Sequence, residues 1–255
     1  MTRGSQSSPF DSRPALPGPP LPLYLLAPAS RFQYLCPMRG RNWAKVIVVG
    51  VVYSVMTVVG VLWVIARDGR EAFWQIVANE RWSSIGLGVG VGTAVLWLSG
   101  WAAAKTNWGR TLDTFFAQVF GGFSVLQCLA TAIASGIGEE MLFRAALQPS
   151  AIALAAKWTG AGFAAASLGI LLTSLAFGAV HLPFKKELAP WTLFAIGTSI
   201  AFGAIYAWTG NIAGPMLAHA MINGINLSRI SRKGAPTGPA LTIHEKGGML
   251  EFERR

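Results

Sequence analysis

Three short clusters interrupt otherwise apolar stretches of this chain: Glu139-Glu140 with Arg144, Phe177 with His181, and His219 with Asn223. Polar groups inside membrane-length apolar segments are expensive, so each needs a reason. Together the clusters supply two carboxylates, two imidazoles, a guanidinium and an amide. A carboxylate and an imidazole can activate a water, and an imidazole and an amide can donate to a developing oxyanion. That is the chemistry of peptide-bond hydrolysis.

Helical spacing sets what can meet what, because residues three or four apart share a face. Glu140 and Arg144 are so placed, as are Phe177 and His181, and His219 and Asn223. Glu139 lies about 100° round the helix from Glu140. Arg144 is therefore expected to neutralise and orient Glu140, which leaves Glu139 free as a candidate general base or acid. A metal bound through His181, His219 and a carboxylate is a second use of the same donors. The His-Glu-x-x-His motif of common zinc proteases is absent. Each cluster alone has a plain structural reading: a charged helix rim, an interfacial histidine, an interhelical hydrogen bond.

The elements that must position these groups are membrane helices. Hydrophobic residues make up 53% of the chain and charged residues 13%, against about 25% charge in a soluble domain. Mean hydropathy is +0.46. The expected fold is all-α: a polytopic transmembrane bundle of about seven or eight helices around a buried polar cavity. Candidate spans run over about 46–66, 84–104, 112–134, 161–182, 191–208 and 212–227, with 139–157 the least regular because of its polar residues and Pro149. The Ser135-Gly136-Ile137-Gly138 punctuation predicts a helix starting near Glu139, with both carboxylates in its first turn, where the macrodipole favours them. Residues 71–82 read as an interfacial amphipathic segment. Gly86, Gly88, Gly90, Gly92 and Gly100 read as close helix packing, not a phosphate loop, since no strand precedes them.

Residues 1–41 hold eight of the fourteen prolines and read as a disordered arm before a membrane domain over 42–228; a start at Met38 is a second reading. Residues 229–255 form a basic polar tail. The net charge of +10 gathers at the two ends. That is the pattern of residues flanking membrane helices on the inner side, and no folded basic domain is present for a nucleic acid. Basic residues at both ends call for an even number of crossings, whereas seven candidates are counted. One of them is expected to be re-entrant or wrongly divided. Two cysteines, Cys36 and Cys128, give neither a disulfide framework nor zinc-finger spacing.

Glu139-Glu140-x-x-x-Arg144, Phe177-x-x-x-His181 and His219-x-x-x-Asn223, in that order within apolar helices, resemble the three motifs of the CPBP family. That family comprises CAAX prenyl endopeptidases and bacteriocin-processing or immunity-associated proteins. The resemblance covers about residues 115–228. It implies an intramembrane endopeptidase in which Glu139 activates water with help from His181, His219 and Asn223 form the oxyanion hole, and Glu140, Arg144 and Phe177 support the site. It also admits a metal-dependent form with zinc on His181, His219 and Glu139. The glutamate form is favoured because it needs no third strong ligand and Asn223 is a poor one. The expected substrate is a membrane-anchored or lipidated protein or peptide, and the expected setting is the lipid bilayer of a bacterial inner membrane. A non-catalytic scaffold or immunity-type protein that keeps the motifs is the alternative. A haem bundle with His181 and His219 as axial ligands would leave Glu139, Glu140 and Arg144 unexplained.

Overall fold

The computed structural model describes residues 35–79, 81–182, 186–233, 241–246 and 249–254. Met1–Met38 and Arg39–Arg255 form separate units, and the second is described here. The proline-rich arm up to residue 34 and the Gly234–Pro239 stretch lie outside the described residues.

The chain forms nine α-helices among the described residues. They are α1 (Leu35–Asp68), α2 (Arg70–Ala78), α3 (Arg81–Lys105), α4 (Asn107–Phe120), α5 (Val125–Glu140), α6 (Gln148–Thr159), α7 (Phe163–Val180), α8 (Ala189–Thr209) and α9 (Ala213–Ser231). A π-helical segment, Met141–Leu147, joins α5 to α6. The all-α membrane bundle expected from composition is the observed fold. The expected tail holds one further element, a hairpin in which β1 (Leu241–Lys246) pairs antiparallel with β2 (Met249–Arg254).

Among the described residues five helical stretches are long and apolar enough to cross a membrane: Asn42–Asp68, Arg81–Lys105, Val125–Thr159, Phe163–Val180 and Ala189–Thr209. Val48, Val51, Val55 and Val58 of α1 are each more than half exposed. β-branched residues are indifferent helix formers in water, but in lipid the helix satisfies every backbone group within itself, and the valines serve as a lipid-facing surface. The central element is Val125–Thr159, of whose span 56% is buried against 11% for α1.

Two of the expected spans are redrawn. The stretch 112–134 is not one helix. α4 ends at Phe120, and Gly122 takes φ 78°, a conformation open to glycine. Ser124 then caps α5 in a reciprocal capping box with Gln127. From there the helical path continues through the supposed punctuation at 135–138 and into 139–157, so those two candidates merge. Glu139 and Glu140 thus end α5 in mid-path, not in a first turn. Gly136 and Gly138 do not break the helix, because they are contact points. A Cβ on Gly136 would stand 3.0 Å from the Met216 carbonyl oxygen. α9 has the length of a span but carries His219, Asn223, Asn226 and Arg229, which lower its apolarity.

α9 packs against α3 and α5. Gly88 and Gly92 make the α3 contact: a Cβ on Gly88 would collide with the Gly214 backbone, and one on Gly92 would sit 3.3 Å from the Ala218 Cα. Gly86 and Gly90 face open space, so of the four glycines from 86 to 92 only Gly88 and Gly92 serve close approach. Ser84 fixes the start of α9, accepting from the Gly214 N–H at 2.9 Å and donating to the Asn211 carbonyl at 3.0 Å.

Pro149 explains the π segment. It has no N–H to give the Ala145 carbonyl one turn back, and its ring crowds that carbonyl. The path widens there. Arg67, at the end of α1, donates to the Ala145 carbonyl at 3.0 Å and also to the Ala146 carbonyl and the Ser150 hydroxyl. Arg67→Ala is expected to destabilise the protein by about 1–3 kcal/mol, the cost of stranding a buried carbonyl. Chemical denaturation in lipid nanodiscs checks this, and unchanged stability would show that water replaces the guanidinium.

Candidate active site

The continuous α5–π–α6 path carries Glu139, Glu140 and Arg144 into the centre of the bundle. Arg144 and Glu140 are fully buried, and Arg144 Nε donates to Glu140 Oε2 at 2.9 Å. The pairing expected from spacing is therefore present. Arg144 Nη2 also donates to the Ser199 hydroxyl of α8 at 2.9 Å, and the guanidinium lies 5.4 Å from the Phe177 ring centre.

α7 supplies Phe177 and His181, and α9 supplies His219 and Asn223. The His181 Nδ1 lies 2.7 Å from the Phe177 carbonyl oxygen. A carbonyl only accepts, so Nδ1 carries the proton and Nε2 is left to face the cavity. The Phe177 and His181 rings stack with centres 4.4 Å apart, and Phe143 meets Phe177 edge-on. Phe177 thus packs between Arg144 and His181. Thr192 of α8 donates to the His181 carbonyl at 3.0 Å, which holds the end of α7.

His219 departs from its expected partner. Spacing grouped it with Asn223, but its Nδ1 bonds Glu140 Oε1 at 2.7 Å, so Glu140 is shared between Arg144 and His219. Asn223 Nδ2 instead donates to the Ser135 hydroxyl at 2.9 Å. The Ser135 hydroxyl donates in turn to the Ala132 carbonyl at 3.1 Å.

Glu139 is placed differently from Glu140. Its Oε2 is buried and has no hydrogen-bond partner. That oxygen faces His219 Nε2 at 3.7 Å and His181 Nε2 at 3.9 Å. All four groups expected to do chemistry, Glu139, His181, His219 and Asn223, line one cavity of about 210 Å³. Glu140 and Arg144 lie behind it.

Among the described residues no three histidine, cysteine, aspartate or glutamate side chains are grouped to hold a metal. Each histidine gives Nδ1 to a protein partner and presents Nε2 toward Glu139.

Three further neighbours complete the site: Ser135, read in the sequence as part of a break before Glu139, and Tyr53 and Ser199, which the sequence does not single out. Ser135 is four residues before Glu139, so the spacing rule would have found it had the two been placed on one helix. Tyr53, a lone phenol in the valine-rich first span, also lines the cavity. Its phenolic group was a signal in itself, since a buried hydroxyl needs a partner. Ser199 carries no local signal.

The fold and site define an integral membrane protein, an all-α bundle with a carboxylate and two imidazoles converging on an internal cavity. Residues 121–225 match the family described as type II CAAX prenyl endopeptidase Rce1-like. This match falls on the segment that holds all three motifs and supports the family resemblance read from them. The chain is also 31% identical over 110 residues to an uncharacterized protein, YpbD, of Bacillus subtilis (strain 168). The similarity covers 42% of this chain and 48% of that protein, so the chain spans about half the length of that relative. No solved structure matches it significantly.

Proposed function

We propose that the chain is an intramembrane endopeptidase of the glutamate type, acting on a membrane-anchored or lipidated protein or peptide. One observation carries this reading: a buried Glu139 Oε2 without a partner faces the Nε2 atoms of His219 and His181 at 3.7 and 3.9 Å. Those separations are too long for direct hydrogen bonds and suit a water between the groups.

In the proposed reaction Glu139 takes a proton from that water while its oxygen attacks the scissile carbonyl carbon. His181, with Nδ1–H on the Phe177 carbonyl, accepts at Nε2 and orients the water. The developing oxyanion is met by His219, which in its protonated form donates from Nε2, and by the Asn223 amide. Glu140, fixed by Arg144, holds the His219 ring. Collapse of the tetrahedral intermediate breaks the C–N bond, and Glu139 returns its proton to the leaving amine. A bacterial cytoplasmic membrane is the compartment we assign, in keeping with the similar segment in a Bacillus protein.

The test compares new protein N termini in membranes from cells that carry wild type or Asn223→Ala at equal levels. Wild type is expected to generate discrete termini in membrane proteins, with EDTA present as well as absent. Loss of one oxyanion donor is expected to lower kcat by about 10²–10³-fold. Identical termini with and without the protein would sink the protease reading and leave a scaffold. Activity abolished by EDTA and restored by zinc would sink the glutamate form.

A further inference from the structure

α1 lies outside the segment matched by the family, yet it reaches the reacting carboxylate. Tyr53 lines the same cavity as Glu139, His181, His219 and Asn223. The Glu139 carboxylate is the charge that acts on its phenol. The approach is built into the backbone. Gly138, the residue before Glu139, sits directly on Tyr53: a Cβ there would stand 2.7 Å from the Tyr53 carbonyl oxygen and 2.9 Å from its Cβ. Two turns along α1, Gly60 makes a similar contact, where a Cβ would lie 2.8 Å from the Met141 backbone. α1 is therefore seated on the site helix on both sides of Glu139-Glu140, and only glycine allows it at these points.

A carboxylate on an unbranched chain can turn about its last bonds. If it turned, no oxygen would be held toward the two imidazoles. Arg144 cannot hold Glu139, because it is committed to Glu140 and Ser199. Glu139 Oε2 makes no hydrogen bond. The phenol is then the group left to fix the carboxylate from its other side.

We propose that Tyr53 is the positioning residue for Glu139: its hydroxyl donates to the carboxylate and holds Oε2 toward the gap between His181 and His219. This rests on the protease reading above. It makes α1 part of the active site, with Gly138 as the contact that lets it approach.

The test uses the full chain in lipid nanodiscs. The infrared band of the Glu139 carboxylate is first assigned as the difference between wild type and Glu139→Gln. Tyr53→Phe is expected to shift that band, because the phenyl ring remains and only the hydrogen bond is lost. A peptide spanning a cut site from the N-terminus comparison then serves as substrate. Tyr53→Phe is expected to lower kcat by about 10- to 100-fold, the worth of one hydrogen bond to a charged group, with KM unchanged within about twofold. Gly138→Ala, which keeps the phenol but pushes α1 away, is expected to give the same band shift and the same kcat-selective loss, so the test stands if either variant fails to fold. An unmoved band overturns the proposal, and so does a moved band with unchanged kcat. If wild type cleaves nothing, the protease reading fails, while the infrared shift still reports whether Tyr53 holds Glu139.

Discussion

Glu139→Gln is expected to leave a folded protein in the membrane at wild-type levels and to lower kcat by about 10²–10⁴-fold, the range for loss of a general base. The substitution preserves volume and shape. It breaks no ion pair of ordinary length, since the Glu139 oxygen stands 3.7 and 3.9 Å from the histidine nitrogens. Its amide oxygen still offers an acceptor to the phenol in the proposed contact with Tyr53. What disappears is basicity at the one atom aimed at the gap. The barrier therefore rises by about 3–5 kcal/mol while the ground state is little changed. Single-turnover cleavage of a spanning peptide, with folding checked by thermal unfolding, measures this. A variant retaining half or more of the wild-type rate would remove Glu139 from the chemistry.

Arg144→Met is expected to destabilise the protein by about 3–5 kcal/mol, the largest stability effect foreseen for a single substitution here. The side chain is 0% exposed and neutralises a carboxylate that is also 0% exposed. Methionine fills much of the volume but leaves Glu140 with His219 alone. In apolar surroundings a charge stripped of its main partner costs more than the pair was worth. Glu140→Gln combined with Arg144→Met removes the stranded charge and should recover much of the lost stability. Activity should stay low, because His219 loses the carboxylate that holds its ring. Chemical denaturation of both variants in nanodiscs decides the matter. If single and double variants prove equally stable, the buried ion pair is not what supports the site.

The contrast between the two glutamates also shows why adjacent identical residues need not share a role. A step of about 100° round the helix turns Glu140 toward Arg144, Ser199 and His219, and Glu139 toward the cavity. One carboxylate is thereby locked and the other left open on one side, with Tyr53 behind it.

The sequence by itself determined whatever depends on local geometry and on the solvent. Low charge and long apolar stretches require helices, because in lipid each backbone group must be satisfied within its own segment. The Glu140–Arg144 bond and the stacked Phe177–His181 rings were legible because four-residue spacing on a helix brings such groups together wherever the helix lies. The motif order carried the family resemblance.

Only the tertiary structure decided where the helices divide and which distant groups meet. Gly136 and Gly138 looked like punctuation because glycine weakens a helix in water, where the unfolded backbone is free and solvated. Packed against Met216 and Tyr53, the same residues are the points of closest approach, and the helix runs through them. The break came instead at Gly121-Gly122, where Ser124 could cap a new helix. His219 chose Glu140, 79 residues away, over the asparagine on its own face. Tyr53 and Ser199 joined the site through contacts across the bundle. No helical period encodes such partners, because they follow from how closely small residues let whole helices approach.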